Sequence, residues 1–363
     1  MSVMFRFIVS LALPVAACMF LAAHYFRAGA LGMIVFWLLL PGLLWMRSAW
    51  IKPAFQALLT VSMIVWIQTL ADLIHFRQAF ELPWLRVGLI IGGVILVSAF
   101  GVLIFEGRAL QGRYIHNRET GPVQAGAFLL TLATLGLLYA ELSFPVFLLE
   151  RFFPGFGPVQ ILIMACYAAW ISGKLMDPKR APTVRARLWL FFSVVFFVQL
   201  GLGLAGWEQF LMTGKLHLPV PALIMAGPIY RGEGFFMLFL FLGTVLMVGP
   251  AWCSHLCYIG AWDHQASAMQ KKPCALPAWT AKIRLILFIL VPTVALGLRL
   301  AGIDWIWAVA AAAGFGFSGL GIMAVISRKT GIMAHCTVFC PIGLAAVAMG
   351  KILVHPVKAY LVS

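Results

Sequence analysis

The chain has 363 residues, 63% of them hydrophobic and only 10% charged, with a mean hydropathy of +1.01. A water-soluble fold of this size could not cover its surface with so few charges, and the long unbroken apolar runs exclude the weak alternation of an outer-membrane barrel. The net charge of +15 would point to nucleic acid in a soluble protein, but here the basic residues fall between apolar runs, where they set topology and meet anionic lipid, so no nucleic-acid partner is expected.

In chain order, the apolar runs predict ten membrane-spanning helices, at about residues 5–24, 29–46, 54–72, 86–105, 123–142, 157–174, 187–206, 234–252, 283–301 and 305–327. The expected fold class is all-α: a polytopic helical membrane protein with about ten transmembrane helices. Val15-Ala16-Ala17-Cys18 has the look of a lipoprotein cleavage box. A single Arg precedes it and the residues after Cys18 stay apolar, so the first helix is kept. The polar stretch from Glu106 to Gln124 separates a four-helix module over 1–115 from a six-helix module over 120–363. After the seventh helix, Leu216 to Pro228 is apolar but too short and Pro-rich to span, and reads as a re-entrant or interfacial piece. Residues 342–354 are apolar but short and interrupted by Lys351, so they read as a C-terminal amphipathic helix on the membrane surface.

Placing the N-terminus inside puts nineteen of the Lys and Arg residues in inside segments and seven outside. That asymmetry predicts a multi-pass protein of the bacterial cytoplasmic (inner) membrane, with its N-terminus in the cytoplasm.

Of seven cysteines, Cys18 and Cys166 lie inside apolar runs and read as packing residues. Four others form two matched segments, Cys253-Ser254-His255-Leu256-Cys257-Tyr258-Ile259-Gly260 and Cys336-Thr337-Val338-Phe339-Cys340-Pro341-Ile342-Gly343. Both fall on the predicted cytoplasmic side, where a reducing environment disfavours a disulfide and favours metal binding. Cysteines four apart on a helix share a face, with Cβ atoms roughly 5–6 Å apart. Packing the eighth helix against the tenth would bring four thiolates together, the set that a [4Fe–4S] cluster, or a [2Fe–2S] cluster, requires. Gly260 and Gly343 would let backbone approach a bulky cofactor, and Pro341 would redirect the chain after its pair. His255 and His335 flank the thiols as candidate supporting residues, and they keep zinc or copper open as an alternative. Cys274 is a candidate fifth ligand that we leave outside the set.

These segments resemble the membrane core of NapH/NosR-type proteins, polyferredoxin-like membrane electron carriers. Gly249 through Trp262 and Cys336 through Gly343 carry the likeness, which spans roughly residues 123–345. The resemblance implies electron transfer between the membrane quinone pool, or a membrane partner subunit, and redox modules on either side. Tyr258 departs from the Pro usual in the family. Neither the family's ferredoxin module nor a flavin-binding domain occurs in the sequence, so a separate ferredoxin-like or other redox protein is expected as partner.

Ionisable residues near the outer helix ends are the remaining candidates. Glu208, His217, Arg231 and Glu233, with Glu141, could gather at the outer face as a quinone and proton site. His24, Asp72 and His75 could form a quinone head-group site, but snorkelling or interfacial hydrogen bonding is the favoured reading. None of the eight histidines lies mid-helix, so haem b is not expected. The reading from sequence is an electron-transfer subunit of an oxidoreductase system, holding an iron–sulfur cluster at Cys253, Cys257, Cys336 and Cys340. The alternatives are a copper or zinc assembly or transport protein, and a structural anchor of a redox complex.

Overall fold

The computed structural model describes residues 3–107, 110, 112–142, 144–211, 218–248, 252–277 and 279–352. The chain forms two compact units, Met1–Ala181 and Pro182–Ser363. Among the described residues all regular elements are helical, and an isolated bridge between Ser48 and His116 is the extended pairing present. Eight helices are long and apolar enough to cross a membrane, so the protein is an all-α polytopic membrane protein. Each of the ten predicted spans coincides with a helix. Two of them, Leu31–Trp45 and Phe236–Val245, are shorter apolar helices among the described residues.

The first unit contains α1 (Val3–Arg27), α2 (Leu31–Leu39), α3 (Ile51–Ala79), α4 (Leu85–Leu103), α5 (Gly121–Glu141), the short α6 (Leu148–Phe152) and α7 (Gly157–Leu175). Pro41 tightens the end of α2 into a 3₁₀ turn over Leu40–Trp45. Phe55, Phe105, Phe128, Leu21, Leu40 and Leu44 are fully buried at its centre, together with Cys18, and Cys166 packs against them. Small residues permit the closest approaches. A Cβ on Gly32 of α2 would fall 1.8 Å from the Gly155 carbonyl oxygen, so only glycine fits there. The Glu150 carboxylate accepts from the N–H groups of Gly155 and Gly157 (2.7 and 2.6 Å), which satisfies donors at the start of α7. Exposed apolar side chains such as Leu89, Ile90 and Leu130 give the helices an outer surface suited to lipid.

The second unit contains α8 (Ala181–Leu204), α9 (Leu223–Arg231), α10 (Phe236–Val248), α11 (Tyr258–Ser267), α12 (Thr280–Leu300), α13 (Trp305–Ile322) and α14 (Pro341–Ile352). Two π-helical turns, Met323–Ser327 at the end of α13 and His335–Phe339 before α14, and a third at Trp252–Leu256 before α11, interrupt the regular helices. Such turns carry one extra residue and are frequent at functional sites.

The Pro-rich piece is described from residue 218 and leads into α9. Its residues Pro219–Ala222 share a small cavity with His335, Cys340 and Pro341. From there α9 runs along α12 and ends at Gly232, whose left-handed backbone (φ 77°) lies against Arg299 in the last turn of α12. The expected C-terminal helix is α14. It buries Ile342 and Ala346, four apart on one face, against Phe241 and Val245 of α10.

Candidate metal centre

Both cysteine pairs depart from the single helical face that their spacing suggests. In each, the first cysteine sits within a π turn, and the second is extended, with φ, ψ of −68°, 111° at Cys257 and −77°, 115° at Cys340. The Cys340 N–H closes the second turn by donating to the His335 carbonyl, five residues back (2.8 Å). A new helix starts directly after each second cysteine, α11 at Tyr258 and α14 at Pro341. Cys257 is thereby an N-cap whose Sγ accepts from Gly260 N–H (3.4 Å). The N–H groups of Ile342 and Gly343 face the Cys340 thiol in the same way. The duplicated sequence is thus a duplicated structure, in which two helix N-termini direct unpaired donors at sulfur.

The spent donors explain the residue types. Pro341 occupies the first helical position, where no N–H is needed. Tyr258 occupies the same position in the first copy and is held by α8 instead. Its ring stacks on Phe196 (centroids 4.0 Å apart, 6° between planes) and meets Phe197 edge-on (5.9 Å), and its carbonyl accepts from Ser193 Oγ (2.7 Å). One turn earlier, Trp189 Nε1 donates to the Cys257 carbonyl (2.6 Å) while its ring stacks on His264. Trp189, Ser193, Phe196 and Phe197 recur at helical spacing, so one face of α8 holds the first cysteine pair.

Asp263 joins the two copies. It is fully buried on α11, and its carboxylate accepts from Cys336 N–H (2.9 Å) and Ser327 Oγ (2.5 Å). Ser327 Oγ in turn accepts from Ala334 N–H (3.0 Å). A helix begun by the first cysteine pair thereby fixes the backbone that begins the second. Sequence reasoning missed Trp189, Ser193, Asp263 and Arg284. The available signal was Asp263 itself, one of only eleven acidic residues in the chain, lying in an apolar stretch six positions after Cys257.

The four thiols sense one another. Burial pushes Cys253 up to about 11, with the nearby Cys340 adding to the shift and the Arg284 guanidinium opposing it. Burial likewise pushes Cys257 up to about 12, with Cys340 and Cys253 adding to it and the N–H groups of Gly260 and Ile259 opposing it. Cys336 is raised by burial and then by Asp263, Cys257 and Cys340, and Cys340 is raised by burial. Four thiols so placed ionise more readily against positive charge, which a bound metal would supply and which the helix donors and Arg284 support.

Among the described residues, no three His, Cys, Asp or Glu side chains converge closely enough to hold one metal ion. Four thiolates so grouped are the kind of ligand set that an iron–sulfur cluster takes.

Residues 232–273 and 305–359 match the family model of a 4Fe-4S binding domain. The first stretch covers α10, the first cysteine pair and α11, and the second covers α13, the second pair and α14. No curated protein and no solved structure matches the chain. The match supports an iron–sulfur protein, and the apolar helices make it a membrane one.

Of the other predicted residues, His255 and His335 lie in the π turns beside the cysteines and the rest of those described lie apart. His255 sits in the first π turn, its Nδ1 2.9 Å from Ser254 Oγ. His335 is buried against Gly319 and Phe339, and its Nδ1 has no hydrogen-bond partner among the described residues. Cys274 is exposed, with its N–H donated to the Thr330 carbonyl (2.8 Å). Glu208, Arg231 and Glu233 are exposed, and among the described residues no hydrogen bond or ion pair joins them. His217 lies outside the described residues.

Proposed function

We propose that this chain is a membrane electron-transfer protein of the NapH/NosR type, with Cys253, Cys257, Cys336 and Cys340 as the four ligands of one [4Fe–4S] cluster. The observation that carries the proposal is the repeated π turn, cap cysteine and helix start, aimed twice at one group of thiols within the stretches that match a 4Fe-4S binding domain. Such a cluster supplies reversible one-electron storage. The protein's own residues do the remainder. Helix N-terminal donors offset thiolate charge, Asp263 and Trp189 hold the two backbones, and the apolar packing of Phe241, Val245, Ile342 and Ala346 limits water access.

The Lys and Arg distribution supports a site at the cytoplasmic face of the bacterial inner membrane. There a separate ferredoxin-like or other redox protein would exchange electrons with it. The quinone pool or a membrane partner subunit would serve the other end, with Glu208, His217, Arg231 and Glu233 as the candidate quinone and proton site. Copper or zinc carriage is less well supported, because the stretches that hold both cysteine pairs match a 4Fe-4S binding domain.

Anaerobic purification with iron and acid-labile sulfide analysis and EPR tests the proposal. About four irons and four sulfides per chain are expected, with a spectrum that appears on reduction. Folded, stable protein without iron would sink it.

A further inference from the structure

Arg284 stands in the first turns of α12, and the two glycines of the motifs show what it does there. A Cβ built on Gly260 would meet the Trp189 ring at 2.5 Å. A Cβ built on Gly343 would meet Arg284 Nη2 at 3.1 Å and the Cys336 carbonyl oxygen at 3.0 Å. Behind their glycines the twin motifs therefore differ: the first is backed by an aromatic ring and the second by a guanidinium. Arg284 Nε is buried with no hydrogen-bond partner among the described residues. The ion pairs among those residues, Lys52–Glu106 and Asp177–Arg180, leave Arg284 without a carboxylate. Its charge acts instead on Cys253 and Cys340, one thiol from each pair. A part-buried cation with no acidic partner is costly unless an anion lies beside it. Four thiolates around a [4Fe–4S] core form a net anion in both redox states, and reduction adds one more negative charge.

We propose that Arg284 is a positioning residue that raises the reduction potential of the cluster, by favouring the reduced, more negative state from beside Cys253 and Cys340. The inference rests on the four-cysteine reading above. No proton need move with the electron, because the guanidinium stays charged throughout. At the separations involved, a unit charge screened by protein changes the reduced-to-oxidised ratio by about tenfold or more at fixed potential, equivalent to about 59 mV for one electron.

The test is an EPR-monitored redox titration with dithionite and mediators on the full-length protein in detergent, comparing wild type, Arg284→Gln and Arg284→Lys, with iron and sulfide measured on each. Arg284→Gln with wild-type iron content and a midpoint lowered by that amount, and Arg284→Lys near the wild-type midpoint, support the proposal. Full loading with an unchanged midpoint in Arg284→Gln overturns it. If Arg284→Gln fails to load, Arg284→Lys decides: restored loading near the wild-type midpoint supports a role for charge, and failure to load overturns it. Wild-type protein without a cluster would instead overturn the four-cysteine reading, which separates the two failures.

Discussion

Replacing Asp263 by Ala should loosen the joint between the two cysteine pairs more than any other single change outside the cysteines. The carboxylate is fully buried and satisfies two donors, Cys336 N–H and Ser327 Oγ–H, while Ser327 holds Ala334 N–H. Removing it strands both donors in an apolar interior, at about 1–3 kcal/mol each. The expected loss is therefore about 4 kcal/mol, close to a thousandfold in the folded-to-unfolded ratio. Asp263→Asn keeps one acceptor oxygen and should lose about half as much. Denaturant titration of the protein in detergent reads the stability. Hydrogen exchange at the Cys336 amide reads the joint itself, since that N–H loses its partner. The exchange rate should rise, and the stability and the iron content should both fall in the order wild type, Asn, Ala. Unchanged exchange at Cys336 together with full iron loading in Asp263→Ala would refute the reasoning.

Other outcomes follow from the same geometry. Cys257→Ser should abolish the EPR signal, and an unchanged spectrum would remove Cys257 from the ligand set. Trp189→Phe keeps a ring but removes the donor to the Cys257 carbonyl (2.6 Å); about 1–2 kcal/mol of stability should go, with lower cluster yield, both measurable in one denaturation series. Gly32→Ala in the first unit sets a Cβ 1.8 Å from a backbone oxygen, so a loss of about 3 kcal/mol or more is expected in thermal melts, with the cysteine site untouched. In cluster-free protein, Cys253 at about 11 has about one thiolate in a thousand at pH 8. Iodoacetamide should therefore modify the exposed Cys274 first, and the rate at Cys253 should climb about tenfold per pH unit up to about 11. Early, pH-independent labelling of Cys253 would contradict its burial.

The helices were legible because membrane-crossing length is a property of a run of residues, and all ten apolar intervals became helices. Leu31–Trp45 came out short for a reason hydropathy does not weigh, the tight turn at Pro41. The pairing of C-x-x-x-C segments was visible as repetition, but the repetition alone suggested a plain helical face. A π turn adds one residue to a turn without a composition of its own, so the cap position of Cys257 and Cys340 appears only in three dimensions. The partners of Trp189, Asp263 and Arg284 were invisible for another reason, although Asp263 stood out as an acid in an apolar stretch. Each residue acts on a motif that is distant in sequence, and nothing local in a Trp, an Asp or an Arg names its partner.

The long sequence gap between the cysteine pairs constrains how the protein is made. When Cys253 and Cys257 leave the ribosome, the chain that supplies Asp263 with its donors, packs Ile342 beside Cys340 and completes the proposed ligand set has not been synthesised. The first pair stays unpartnered until Cys340 emerges, and the Pro219–Ala222 stretch likewise precedes the Cys340 and Pro341 whose cavity it shares. On the four-cysteine proposal, iron loading is a late event in the biogenesis of this protein, and it seals a joint that translation leaves ajar.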